Sequence, residues 1–178
     1  MKVDLNKIYN QYLSNFDGNT AIITTPYKPL DCFYIKFDIL QLPHLLGLHK
    51  IYRQKPKDIC SQLNNSVITY DKIQRHANFG QVRDRINYFG FILDIFLEGY
   101  NGSVIYVSEN DKKGSSMGLD IAFAHPHKDK YLTLGLRENI SSIYAPVTFY
   151  VNKKIAGRRP FNNSKRAKIL TLEMIKDI

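Results

Sequence analysis

The stretch QLPHLLGLHK, residues 41–50, sets His44, His49 and Lys50 among four leucines and a glycine. A plain core segment has no use for imidazoles, and a plain surface segment has no use for Leu42, Leu45, Leu46 and Leu48. The pattern describes a buried element that holds polar groups at its edge. Imidazole titrates closest to neutral pH, so His44 and His49 are candidates for general acid–base work. On one continuous helix their five-residue spacing leaves them about 140° apart. That is too far round for the i, i+4 pair that chelates a metal. A structural hydrogen bond at a helix end is the competing role for each histidine.

Arg85 lies one turn before Phe89 and leads into the apolar line Phe89, Ile92, Phe96. A guanidinium there must snorkel to water or find an anion. An ion pair, a helix-capping contact and a phosphate each satisfy it. Further along, YLTLGLR places Tyr131, Thr133, Gly135 and Arg137 on one side, and APVTFYVNKK places Pro146, Thr148, Tyr150 and Asn152 on one side. A sheet face of Tyr, Thr and Arg is suited to stacking bases and holding phosphates, although it also describes an ordinary solvent-facing side. In HPHKD, His125, His127 and Asp129 have metal-binding atoms, but the proline and tight spacing favour a hairpin loop, and no metal site is expected.

These groups need elements to carry them. DLNKIYNQYLSNFDG puts Leu5, Ile8, Tyr9, Tyr12, Leu13 and Phe16 on a helical stripe, with Asp4 as N-cap and Gly18 as stop. CFYIKFDIL alternates as a half-buried strand, and Pro43 then opens a short helix, PHLLGLHKIY. Gly47 inside it implies close approach by another backbone. KPKDICSQLNN and TYDKIQRH read as short helices, and QVRDRINYFGFILDIFLEG as one long helix closed by Gly99. After Gly99 the texture becomes strands joined by short connections, which favours antiparallel pairing. SKRAKILTLEMIKD reads as a closing helix. Helices first and a meander second give α+β in one domain spanning 1–178.

The 178 residues carry 25 Lys and Arg against 16 Asp and Glu, a formal charge of +9, which favours nucleic acid or an anionic membrane as partner. Much of the excess sits in the basic C-terminal segment 153–178. There Lys153, Lys154, Arg158, Arg159, Lys165, Arg166 and Lys168 have no acid among them up to residue 168. A solvated face and a phosphate-contact patch both fit. Cys32 and Cys60 form no CxxC pair, no apolar leader is visible, and no run approaches a membrane span. A cytoplasmic chain with free thiols and no membrane association is expected. Walker, GxGxxG, GxSxG and HExxH motifs are missing, so NTPase, dinucleotide, serine-hydrolase and zincin functions have no support.

FYIKFDILQLPHLLGLHK, followed by RINYFGFILDIF and YAPVTFYVNKK, resembles the fourth phage-type branch of the Barnase–EndoU–colicin–RelE-like nucleases, over about residues 30–155. The resemblance implies helices packed on a roughly four-stranded antiparallel sheet. It implies a metal-independent endoribonuclease of phage or mobile-element origin with toxin-like action and no cofactor, cutting RNA by 2′-OH attack on the adjacent phosphate. His44 matches the first histidine of the motif and becomes the leading acid–base candidate, with His49 second. Lys50 and Arg85 are cast as charge stabilisers, and Thr148 as the residue that positions a phosphate oxygen. Tyr131, Arg137, Tyr150, Lys153, Lys154, Arg158, Arg159, Lys165 and Arg166 would bind RNA. An antitoxin or immunity protein would be a second partner. Two rivals use the same features: a non-catalytic nucleic-acid-binding module and a phage-encoded protein-interaction factor.

Overall fold

The computed structural model describes residues 3–176. The first helix, α1 (Leu5–Asn15), is capped as its sequence requires: the Asp4 carboxylate accepts from the backbone N–H of Asn6 and Lys7 at 3.0 and 3.2 Å. Gly18 takes a left-handed conformation (φ 66°) and releases the chain into β1 (Asn19–Thr24). Strand β2 (Cys32–Lys36) pairs antiparallel with β1 and buries Phe33 and Ile35. The helical layer continues with α2 (Leu42–Leu45), α3 (Pro56–Asn64), α4 (Tyr70–Gln74), α5 (Phe79–Asn87) and α6 (Gly90–Leu97). Strand β3 (Ser103–Tyr106), the short helix α7 (Glu109–Lys113), and strands β4 (Ile121–His127), β5 (Lys130–Ile140) and β6 (Ile143–Lys153) follow. The chain ends with β7 (Lys165–Lys168) and β8 (Thr171–Lys176).

The architecture is α+β, as expected, but the sheet has eight strands rather than four, in the order β7-β3-β4-β5-β6-β2-β1-β8. Strands β7 and β8 lie at opposite ends of that order, yet only Ile169 and Leu170 connect them. Three peptide steps span at most about 11 Å, so the two edges must return to each other and the sheet curls nearly closed. The Leu170 N–H donates to Thr24 O (2.8 Å), and the Tyr27 and Tyr106 rings meet at 5.8 Å across the seam. A curled sheet leaves few free edge groups to recruit foreign strands. The closing helix expected over 164–177 is therefore replaced by β7 and β8, with Asp177 outside the described residues. Alternation in KRAK and TLEMIK is too short and too charged to announce strands, and pairing with β3 and β1 supplies what local pattern does not.

The expected long helix over 81–99 is broken in two at Tyr88 (φ −108°, ψ 14°), which lets α6 turn its apolar residues Phe91, Ile92, Ile95 and Phe96 into the core. Leu13, placed on the α1 stripe by spacing, is 40% exposed. The main core lies between the helices and one face of the sheet. Its centre is aromatic: Phe16, Phe37, Phe96 and Phe123 meet at ring distances of 4.9–5.9 Å.

The other sheet face is covered too. Ile105, Val107, Leu119 and Ala122 form a second, smaller core, joined by Val147, Tyr150 and Phe161. The polar side of β5 and β6 is thus not a free solvent face: Thr133 and Thr148 are 1% and 7% exposed. Helix α7 and the loop after β6 lie over it. An Asp111 carboxylate ties them together by accepting from Asn163 N and Nδ2 and from Ser164 Oγ.

Candidate active site

The QLPHLLGLHK segment begins with a reciprocal cap. The Asp38 carboxylate accepts from Leu40 N at 2.7 Å, and Gln41 Oε1 accepts from Asp38 N at 3.2 Å. Tyr12 Oη also donates to Gln41 Oε1 (3.1 Å), pinning the turn to α1. Leu42, Leu45, Leu46 and Leu48 are wholly buried, so the segment is anchored along its length. It is not one helix. Helix α2 ends at Leu45, Gly47 is left-handed (φ 76°, ψ 14°), and a 3-10 turn runs from Leu48 to Lys50. This reversal undoes the wide separation that a continuous helix imposes. The His44 and His49 rings stack in parallel, 4.2 Å between centroids and 13° between planes.

Gly47 does accept a close neighbour, but the neighbour is a side chain rather than a backbone. A Cβ there would stand 2.9 Å from Arg85 Cδ and 3.2 Å from Val82 Cγ1. Helix α5 carries both residues, with Val82 and Ile86 buried and Arg85 laid across the Gly47 turn. The Asp84 carboxylate holds α5 against the β4–β5 hairpin by accepting from Lys130 Nζ at 2.6 Å, and Lys130 also lies over the Tyr88 ring at 5.3 Å.

Arg85 Nη1 reaches the His44 carbonyl oxygen at 3.5 Å and makes no ion pair with an acid among the described residues. Electrostatics around the pair are one-sided. Partial burial, then Arg85, Lys50 and Arg137, push the His44 pKa below its usual 6.5. His49 is pushed down to about 4, first by burial and then by His44, Arg85 and Lys50. Burial and the Arg85 charge also lower Lys50. No carboxylate among the described residues counters these shifts, so the free site favours neutral imidazoles beside three cations that have no ion-pair partner there. Such a cluster is poised to take an anion.

His44 lines a cavity of about 460 Å³ together with Arg137, Thr148, Met117, Pro146 and Val147. The cavity forms where β6 is irregular. Gly135 pairs with Thr148 and Leu136 with Pro146, leaving Val147 as an extra residue in a bulge. Proline has no N–H for the ladder, which suits such a break. Strand β2 pairs with β6 only at Ile143 and Tyr144, the one parallel pairing among the described residues, and α2 packs against β6 beyond it. Arg137 is fixed by donating to Met117 O (2.6 Å) and Gly118 O (3.3 Å).

Sequence reasoning placed His44, His49, Lys50, Arg85 and Thr148 near one another, and the structure gathers all five around α2. It moves Arg137 from the RNA-binding group to the His44 cavity. Tyr131, Tyr150, Lys153, Arg158 and Arg159 line a separate cavity of about 600 Å³ that shares Met117 with the first. Lys154 sits over the Tyr131 ring at 5.6 Å. Lys165 and Arg166 line neither cavity: on β7, Lys165 covers Tyr27 and Arg166 donates to Pro160 O. His127 pairs with Lys130 across the expected hairpin, and no metal-binding cluster of His, Cys, Asp or Glu occurs among the described residues. Gln41 and Met117 were not anticipated. Asp38 and Gln41 do have capping spacing, whereas nothing in the sequence marks Met117.

The model of the family described as phage-Barnase-EndoU-ColicinE5/D-RelE like nuclease4 matches residues 4–175. The chain belongs to this nuclease family. The match runs well beyond the 30–155 span of the sequence resemblance and takes in α1, β1, and the closing strands β7 and most of β8. Comparison with curated proteins gives no match, and comparison with solved structures gives none. No described helix of this nuclease-family chain is long and apolar enough to cross a membrane.

Proposed function

We propose that the protein is a metal-independent endoribonuclease that cuts RNA by transesterification at the His44–His49 site. The observation that carries the reading is a stacked imidazole pair beside Arg85, Lys50 and Arg137, with no balancing carboxylate among the described residues and both imidazole pKa values pushed down. In this mechanism neutral His44 takes the proton of the 2′-OH. O2′ attacks the adjacent phosphorus, the P–O5′ bond breaks, and a proton is returned to O5′. The products are a 2′,3′-cyclic phosphate and a 5′-hydroxyl. Arg85, Lys50 and Arg137 stabilise the phosphorane charge, and the Thr148 hydroxyl orients a phosphate oxygen.

The proton donor follows from the same electrostatics. A phosphate bound among the three cations offsets the repulsion that keeps both rings neutral. The stacked pair can then hold one proton, with His49 as donor and His44 as base. Two protonated rings at this separation would repel, so the pair works in one charge state at a time.

The basic chain fits a toxin-like cytoplasmic enzyme of a phage or mobile element, restrained by an antitoxin or immunity protein. The test is incubation of folded wild type and His44→Ala with structured and single-stranded RNAs in EDTA. Wild type yields 2′,3′-cyclic ends, and His44→Ala does not. Salt-sensitive RNA binding without cleavage would instead support a binding module. Absence of both would turn the search to protein partners.

A further inference from the structure

The cavity beyond Met117 has no role in the transesterification itself. Its volume of about 600 Å³ lies within the range of about 300–1,000 Å³ typical of small-molecule sites. Tyr131 and Tyr150 come from the same face of β5 and β6, where Tyr131 pairs with Asn152 and Thr133 with Tyr150. Tyr150 is packed into the second core, while Tyr131 stays half-buried beneath the Lys154 ammonium. Lys153, Arg158 and Arg159 bring three exposed cations to the rim, and none has an acidic partner among the described residues.

Asp111 is the lone carboxylate in the described lining. It is engaged by Asn163 and Ser164, so it anchors the Arg158–Arg159 loop rather than facing an incoming anion. The loop is further shaped by an Ile155–Arg158 bridge with left-handed Gly157 at its turn. An aromatic ring flanked by unpaired cations matches a nucleotide: a π face for the base and positive charge for the phosphate. Sharing Met117 with the His44 cavity makes the two sites neighbours.

We propose that this second cavity is a subsite for the nucleotide next to the scissile one, with Tyr131 stacking its base and Lys153, Arg158 and Arg159 holding its phosphate. The proposal rests on the RNA-cleavage reading of the His44 site and adds to it the requirement for a single-stranded, extended substrate. A paired base has no free face to offer Tyr131.

The test uses uncleavable 2′-O-methyl hexanucleotides carrying one 2-aminopurine, scanned through each position, with the full-length protein. Fluorescence should be quenched by stacking at one position. Tyr131→Phe should keep the quench, while Tyr131→Ala should remove it and weaken binding about 5- to 150-fold. Replacing Arg158 and Arg159 together by alanine should reduce the salt dependence of binding. Thermal melts establish that each variant is folded. Oligonucleotide binding without quenching at any position, or an unaffected Tyr131→Ala, would overturn the subsite. Cleavage of ordinary RNA alongside that result would leave the nuclease reading standing. Quenching that Tyr131→Ala removes, with no cleavage of the matching RNA, would leave Tyr131 as a base-stacking site but sink both the nuclease reading and the placement beside a scissile nucleotide.

Discussion

Gly47→Ala should damage the site more than the fold. A residue with a side chain pays about 1–2 kcal/mol to sit in the left-handed region occupied by Gly47. Alanine regains about 0.4–1 kcal/mol by restricting the unfolded chain. The new methyl also meets Arg85 Cδ at 2.9 Å and Val82 Cγ1 at 3.2 Å, and Val82 is fully buried, so the arginine must yield. Pushing Arg85 off its rotamer adds about 0.5–1 kcal/mol, so the net cost is about 1–2 kcal/mol, which lowers Tm by about 2–8 °C for a chain of this size. Displacing Arg85 or reopening the turn separates His49 from His44 and removes a cation from the pair. The proton NMR titration of His49 should therefore move up toward the usual 6.5 from about 4. Gly47→Asn separates the two causes, because asparagine tolerates the left-handed backbone yet keeps the contact. Combining Gly47→Ala with Arg85→Ala should recover the contact part of the loss and leave the backbone part. If Gly47→Ala melts like wild type and leaves the His49 titration in place, the glycine turn is not what assembles the pair.

Three further outcomes follow from the same charges. Arg85→Met should raise the pKa of both histidines and lower kcat/KM for RNA about 10²- to 10³-fold, the usual scale for losing one preorganised charge donor, as read by NMR titration and steady-state kinetics. Because His49 is depressed to about 4 from 6.5, the unfolded chain binds the proton that the folded chain refuses. Stability should fall as pH drops through that window, and His49→Gln should flatten the fall in a series of thermal melts. Inorganic phosphate should raise the His44 pKa in wild type, since an anion among Arg85, Lys50 and Arg137 offsets their repulsion; an unchanged titration would count against the anion site.

The sequence alone marked most of the helical layer, although it ran α5 and α6 together, and the residues proposed for the site. Asp4 capping α1, the buried alternation of Phe33 and Ile35, and four leucines flanking two histidines are local patterns, and local patterns survive in a single chain. It also marked Arg85 as an arginine with an unsolved problem, since a guanidinium in an apolar line must find an exit or a partner. The closing strands were not legible in this way. KRAK and TLEMIK become β7 and β8 because β3 and β1 offer them unpaired edges, and that pairing depends on residues more than fifty positions away. The covered polar face of β5 and β6 escaped for the same reason, because alternation shows which residues share a side but not what lies over them. The stacking of His44 on His49 was decided by tertiary structure too. A glycine in a helical pattern reads as a weak helix, and only Arg85 packed across Gly47 shows that the chain turns left-handed there and folds one imidazole onto the other.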